Sequence, residues 1–506
     1  MNLLRLLSTA AMALAAVCAM AEFTVDYRGE AAVNAGSGDF APYYMASNVH
    51  GTVNAPIGAY LRAGLWHRMD STARFSWGFG AEGIAGAGAK TPYRRYDGAL
   101  AQWHENKMGP SAAWIQQLYG EVKYRGVFLT AGMKEYGSQM LDDRLSSGDL
   151  TYSGNARPLP GFRMGFIDFQ NIPLTNGWVQ ICGALGYERS TDTDWVVDHF
   201  NHFSGHYNSD WWYNYKYCYF RTRPSERLSV TLGMQAAGQF GGTTVSYASG
   251  KEVSATRHDT DLRAFVDMLV PRGGDAYYVG NHVGSWDVKA RYRLRSGIEI
   301  SAYMQKPWED GSGIGFLNGF DGLWGVEFRN AEGRHIVQAA VVEYLDFTNQ
   351  SGPIHWDVAD RPGSDLYGVA TGHDNYYNNF LTNGYAVYGR GIGSPFIPGP
   401  FYNLDGQNEF LCTRLRGFHA GALGALAPTV DWRVMLSWRK GWGTYMQPFL
   451  EPRTDTSAMA EAVWRPARVP GLTVKAQVAF DTGKLYGDNF GALISVSWRG
   501  LLTFVK

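Results

Sequence analysis

Residues 57–82, IGAYLRAGLWHRMDSTARFSWGFGAE, decide how the rest of the chain is read. Ile57, Ala59, Leu61, Ala63 and Leu65 interleave with Tyr60, Arg62 and Gly64, with Arg68 following in the polar parity. A tight turn at Met69 to Thr72 leads to a return in which Ala73, Phe75, Trp77, Phe79 and Ala81 alternate with Arg74, Ser76, Gly78, Gly80 and Glu82. A two-residue period places alternate side chains on opposite faces of a strand. One face here is apolar throughout, and the other is polar or small.

Working outward, the same alternation recurs. Leu118, Val122 and Tyr124 face away from Gln117, Tyr119, Glu121 and Lys123, and after Arg125-Gly126 the set Val127, Leu129, Ala131 and Met133 opposes Thr130, Gly132 and Lys134. Trp286, Val288, Ala290, Tyr292 and Leu294 oppose Asp287, Lys289, Arg291 and Arg293, and Ile298, Ile300, Ala302 and Met304 oppose Glu299, Ser301, Tyr303 and Gln305. The last segment sends Ala492, Ile494, Val496 and Trp498 outward and reaches Phe504, with Val505 and Lys506 beyond it. A first short strand is expected near Phe23 to Tyr27.

Short turns at Arg223 to Arg227, Asn330 to Arg334, Ala427 to Thr429 and Arg465 to Gly471 alternate with long polar connections at 86–112, 136–160, 189–211, 240–261, 306–322, 347–383 and 440–457. This asymmetry, with charges on the inward parity, describes an all-β transmembrane antiparallel β-barrel with long extracellular loops and short periplasmic turns. About eighteen strands are expected, the uncertain part of the count being Leu262 to Gly284. Gln139 to Leu150 reads as a short helix or as loop.

Composition agrees. Aromatics make up 14% and glycines number 62, while the formal net charge is -1 with basic residues scattered, which argues against nucleic acid as a partner. Residues 1–21 carry Arg5, an apolar run from Leu6 to Val17 and Ala19-Met20-Ala21, the pattern of a secretory signal cut after Ala21. Residues 22–506 then form one barrel. Past the signal no apolar run reaches the roughly 18 residues of a membrane helix. Cys182, Cys218 and Cys412 define neither a disulfide framework nor a zinc spacing.

The polar loops carry the functional signal. Gly372 to Phe396, GHDNYYNNFLTNGYAVYGRGIGSPF, combines hydrogen-bonding groups with flat apolar faces, which suits a hydroxylated ring and equally suits a loop of tight turns. Asp374, Asn375, Tyr376, Tyr377 and Asn378 are its candidate glycan contacts. Trp211, Trp212 and Trp356 are further aromatic candidates, against the alternative that such residues belong to interfacial girdles. Arg157 fits a bidentate clamp on an acidic sugar or closure of the lumen. His199, His202 and His206 read as a solvated loop rather than a metal site, and Asp142-Asp143 and Glu309-Asp310 as turn or lumen residues rather than a glycosidase pair. No catalytic residue, metal or cofactor is expected.

Several strings resemble the Wzi family of capsule-assembly outer-membrane proteins. They are Phe40-Ala41-Pro42-Tyr43-Tyr44-Met45-Ala46-Ser47-Asn48 through Gly51, Leu118-Tyr119-Gly120-Glu121, Leu129 to Glu135, Leu145 to Leu150 running into Asn155-Ala156-Arg157-Pro158-Leu159-Pro160, Gln305 with Glu309-Asp310, Gly372 to Pro395, and Gly487, Asn489, Gly491. The resemblance implies a barrel of about eighteen strands in the outer membrane. It also implies a non-enzymatic lectin that holds capsular or related surface polysaccharide. Expected partners are that polysaccharide, outer-membrane lipid and the barrel-insertion machinery, with the protein a monomer. The rival readings are a porin or substrate-specific channel and a surface lipid or glycan hydrolase.

Overall fold

The computed structural model describes residues 23–269, 280–352, 355–356, 370–371 and 374–504; the signal segment lies outside them. Eighteen strand positions close into one antiparallel barrel. In chain order they are β1 Phe23–Ser37, β2 Gly58–His67, β3 Phe75–Gly88, β4 Ala113–Tyr124, β5 Val127–Met133, β6 Gly161–Phe166 (resumed at Gln170–Asn171), β7 Val179–Arg189, β8 Trp212–Thr222 and β9 Leu228–Phe240. The second half comprises β10 Gly280–Arg293, β11 Ile298–Trp308, β12 Gly322–Asn330, β13 Ala339–Asp346, β14 Leu415–Ala427, β15 Val430–Gly443, β16 Pro448–Trp464, β17 Leu472–Gly483 and β18 Asn489–Phe504. Strands β1 and β18 pair from Phe23 opposite Phe504 to Ser37 opposite Phe490 and close the cylinder.

The expected parity holds in the hairpin of residues 57–82. Leu61, Leu65 and Phe75 are exposed on the outer wall, as are Leu118, Leu129, Ile300, Ile494 and Val496 on other strands. A continuous exposed apolar surface of this kind is a lipid-facing wall, because water would not tolerate it. Polar side chains on the opposite parity pair on the lumen side: Arg62 meets Glu82 and Glu135, and Arg291 lies 3.7 Å from Glu299. On β4 an extra residue breaks the register between Glu82 and Gly83 of its partner, so Gln116 and Gln117 are both buried. Gln116 and Gln117 both donate to Glu135. A bulge thus gives one carboxylate two amide partners.

Two readings differ from the structure. The first strand runs on to Ser37 because Ala31, Val33 and Ala35 keep the alternation going against β18. Residues 440–457 are mostly strand, with only residues 444–447 between β15 and β16. Of the two readings of Gln139 to Leu150 the structure shows loop, since the Asp142, Asp143 and Asp149 side chains accept nearby backbone N–H groups and hold non-helical turns. β8 departs from the apolar-outward pattern of the other strands: Tyr213, Tyr215, Tyr217 and Tyr219 are buried toward the lumen, leaving Asn214 and Lys216 on the outer wall.

A helix makes that departure possible. Leu262–Leu269, α1, packs against the outside of β8 and β9 and buries Met268 and Ala264 with Phe240 and Tyr187. The Lys216 ammonium donates to Met268 O at 2.8 Å and to Asn214 Oδ1 at 2.7 Å, so the polar outer-wall residues are shielded from lipid. This helix occupies the stretch where the strand count was uncertain; residues 270–279 of that stretch lie outside the description.

The main core lies inside the barrel. Chain segments 40–53, 140–159 and 376–412 enter the lumen from the long-loop end and bury Tyr43, Tyr44, Leu145, Leu150, Tyr377, Tyr385 and Phe396 against the inner wall. Arg439 of β15, fully buried, stands among the rings of Tyr43, Phe396 and Tyr486 at 4.0–4.6 Å and donates to Ser437 Oγ. Such a desolvated cation–aromatic cluster contributes about 2 kcal/mol.

Candidate functional site

The plug is fixed by one carboxylate. Asp149, fully buried, accepts from Thr151 and Tyr152 backbone N–H groups, from Ser138 Oγ at 2.6 Å, and from the amides of Gln235 on β9 and Gln305 on β11. Glu343 of β13 accepts from Ser146 Oγ and the Ser147 N–H, both at 2.7 Å. Gly148, at φ +112°, passes against Pro395, where any side chain would clash. The Leu145 to Pro160 string therefore anchors the lumen filling to three wall strands.

Arg157 belongs to the same filling. Its guanidinium lies between the rings of Trp114, at 4.1 Å, and Tyr388, at 4.4 Å, and donates to Ser111 Oγ at 3.2 Å. Burial holds its ionisation down at about 10. The stacking fits lumen closure.

The five loop residues expected to touch glycan are packed inward. Tyr376, 1% exposed, donates to Asp321 and accepts from Asn318. Tyr377, 2% exposed, donates to Leu150 O and stacks on Tyr385. Asp374 accepts from Ser351 and Ser312, and burial together with the neighbouring Asp310 pushes its pKa up to about 7. Asn378 exchanges two hydrogen bonds with the Phe410 backbone, and Asn375 accepts from Thr413 at 3.0 Å. The loop's polar side chains thus hold residues 410–413 in place.

Of the tryptophans, Trp211 is buried in the lumen core, while Trp212 packs edge-on to Phe265 of α1 on the outer wall. Trp356 pairs through its backbone with Ala370, and its side chain lies outside the described residues. The histidines are not solvated as a group: His199 is buried against Trp195 and Tyr93, His202 bonds Val197 O, and His206 bonds Thr382 O. Burial holds His199 down at about 4, consistent with a neutral packed ring. Among the described residues no cluster of three or more metal-ligating side chains occurs. Asp142 pairs with Arg144 and Arg329, whereas Asp143 accepts from Ser138 N–H, so the two adjacent acids point to different partners. Glu309 accepts from the Tyr377 N–H and Asp310 from Ser312, both as loop braces.

What the braced segment builds is a cradle at the long-loop end. Residues 403–412, the 484–488 turn and the start of β16 enclose a cavity of ≈380 Å³. Its floor is aromatic: Tyr402 meets Tyr486 at 4.6 Å and Phe40 at 4.9 Å. Its rim carries Asp39, Asp405, Arg453 and Lys484, with Arg453 stacked 3.9 Å over Phe449. Arg453 and Lys484 have no carboxylate within 4 Å among the described residues. Burial raises the Asp405 carboxyl above its ordinary range. Flat rings under a rim of donors and acceptors match the two faces of a sugar.

Sequence reasoning missed this cradle because its parts come from four distant places in the chain. The one local signal was Asn403 to Asn408, a turn-rich run after an aromatic pair.

No family model matches the chain, and no curated protein matches it by sequence. Among solved structures it is similar to Wzi of Escherichia coli, described as an outer-membrane protein involved in group 1 capsule assembly and a carbohydrate-binding β-barrel, at TM-score 0.55 and 13% identity over 93% of this chain and 83% of that one. It also resembles Pseudomonas aeruginosa OccK7 (OpdD), at TM-score 0.46 and 10% identity over 95% and 100% of the two chains, and OccK5 (OpdH), at 0.44 and 9% over 95% and 98%. The likeness to Wzi establishes a shared fold, a closed antiparallel β-barrel.

Proposed function

We propose that this barrel binds surface or capsular polysaccharide at its long-loop end and helps retain it at the outer membrane. The observation that carries the reading is the filled lumen. A chain segment pinned to β9 and β11 through Asp149 and to β13 through Glu343, and packed into the core that fills the lumen, leaves little path for solute, so the working surface is the outward rim. The cradle over Tyr402 and Tyr486 supplies that rim with a sugar-sized recess, and the two unpaired cations favour a polymer bearing acidic sugars. In this reading Asn375 and Asn378 position the cradle wall without touching the ligand, Asp374, Tyr376 and Tyr377 hold the plug behind it, and many weak contacts along one polymer give retention. The carbohydrate binding described for Wzi accords with this reading.

A glycan array on the purified barrel tests it, repeated with Phe449→Ala and Lys484→Gln. Both variants should bind acidic glycans at least fivefold more weakly. Undiminished binding by both places the site elsewhere, and large steady conductance in a planar bilayer with no glycan binding favours a channel instead.

A further inference from the structure

We propose a second ligand site at the opposite, short-turn end of the lumen: a pocket for a sugar-sized solute bearing a carboxylate or phosphate. It is independent of the outward cradle and does not rest on the polysaccharide reading.

The pocket is a cavity of ≈600 Å³ beneath the plug, with Met140 to Asp143 as its roof and the inner faces of β8 to β12 as its walls. That volume is within the range of about 300–1,000 Å³ that small-molecule sites occupy. Its charges divide unequally. Asp142 is met by Arg144 and Arg329, Glu327 by Arg329 and Lys289, and Glu299 by Arg291, while Asp143 accepts only backbone N–H.

Arg221 is the cation left over. It has no carboxylate within 4 Å among the described residues; it lies 3.5 Å over the Phe169 ring and touches Thr231 Oγ1 only at 3.4 Å. The ring fixes the guanidinium plane and leaves N–H donors for an oxyanion, the geometry in which arginine binds carboxylate or phosphate as a fork. Ser229, Thr231 and Ser301 line the same wall and supply hydroxyls for a polyol. A bare inorganic anion would leave most of the cavity empty, whereas a ligand the size of a sugar fills more of it. In an outer-membrane barrel this end faces the periplasm, so the solute would arrive from inside the cell envelope.

The test is titration calorimetry on the full-length barrel in detergent with galacturonate, glucose 6-phosphate, glucose and inorganic phosphate, using wild type, Arg221→Gln, Thr231→Val and Lys484→Gln. The expected result is binding of one or both acidic sugars, with glucose at least tenfold weaker, a tenfold or greater loss of that binding in Arg221→Gln, a smaller loss in Thr231→Val, and survival in Lys484→Gln of the Arg221-dependent binding, whatever the cradle loses. Preference between the two acidic sugars assigns carboxylate or phosphate as the recognised group. Heat-modifiable migration of each variant establishes that its barrel is closed. The proposal is overturned if neither acidic sugar binds, if glucose binds as well as they do, if inorganic phosphate matches them, or if a closed Arg221→Gln barrel keeps full affinity. Loss of binding in Lys484→Gln alone would assign the acidic sugar to the outward cradle and likewise overturn the second site.

Discussion

Gln305 on β11 and Asp149 in the plug are joined end to end: the Gln305 amide donates to Asp149 Oδ2 at 2.8 Å, and its carbonyl accepts from the Leu150 N–H at 3.0 Å. A wall residue thus reads both the side chain and the next backbone group of the segment it holds. Replacing Asp149 with Ala strands the buried amide of Gln305 and leaves that of Gln235 only its bond to Asp287 at 2.9 Å, and an unsatisfied buried group costs about 1–3 kcal/mol. The plug should loosen without opening the barrel wall. Asp149→Ala is therefore expected to raise single-channel conductance severalfold and to expose residues 140–159 to protease. Wild-type conductance and protection in this variant would refute the anchoring role.

Arg157 acts as a flat plate between Trp114 and Tyr388, so its planarity matters more than its charge. Arg157→Lys keeps the charge and loses the stack, at a cost of about 1–2 kcal/mol. Thermal unfolding should show a lower Tm, with glycan affinity unchanged. A loss of affinity at unchanged Tm would instead make Arg157 a ligand contact.

Lys216 ties α1 to the outer wall through the Met268 carbonyl. Substitution by Met removes that tie while suiting the apolar surroundings. Hydrogen exchange across residues 262–269 should quicken at least tenfold in Lys216→Met, with the strand amides of β8 and β9 unaffected. Equal exchange in both proteins would mean that apolar contacts alone seat the helix.

Asp374 carries a pH signature. Its folded pKa of about 7 lies above the ordinary aspartate value of about 3.9, so between those values the folded protein keeps a proton that the unfolded chain has released. Stability from this group therefore falls as pH rises from about 4 to 7 and levels off above. Asp374→Asn cannot titrate. The Tm difference, variant minus wild type, should grow across that interval and then stay flat, and a constant difference from pH 4 to 8 would show that the carboxyl titrates normally.

The barrel was legible because lipid enforces a strict rule at every second residue of a strand, and Leu61, Leu65 and Ile494 obey it locally. The exception on β8 is instructive. Its tyrosines face inward because the lumen is packed like a protein interior, and its lysine faces outward because a helix 46 or more residues later in the chain covers it, neither of which the strand itself encodes. The same blindness affected the loop at 374–378. Asn, Asp and Tyr signal sugar contact or a hydrogen-bonded polar core with equal force, and only the partners, Asp321, Leu150 and Phe410, distinguish the two. The outward cradle was illegible for a related reason: Phe40, Tyr402 and Tyr486 meet only after the ends of the chain have come together.

That meeting constrains biogenesis. Phe23 stacks on Phe504 at 5.1 Å, so the first strand of the barrel waits on the eighteenth. Until it arrives, β1 has an unpaired side that no stable membrane span can tolerate. A barrel without β18 therefore keeps an open edge along β1, and that one lateral bond line completes the wall.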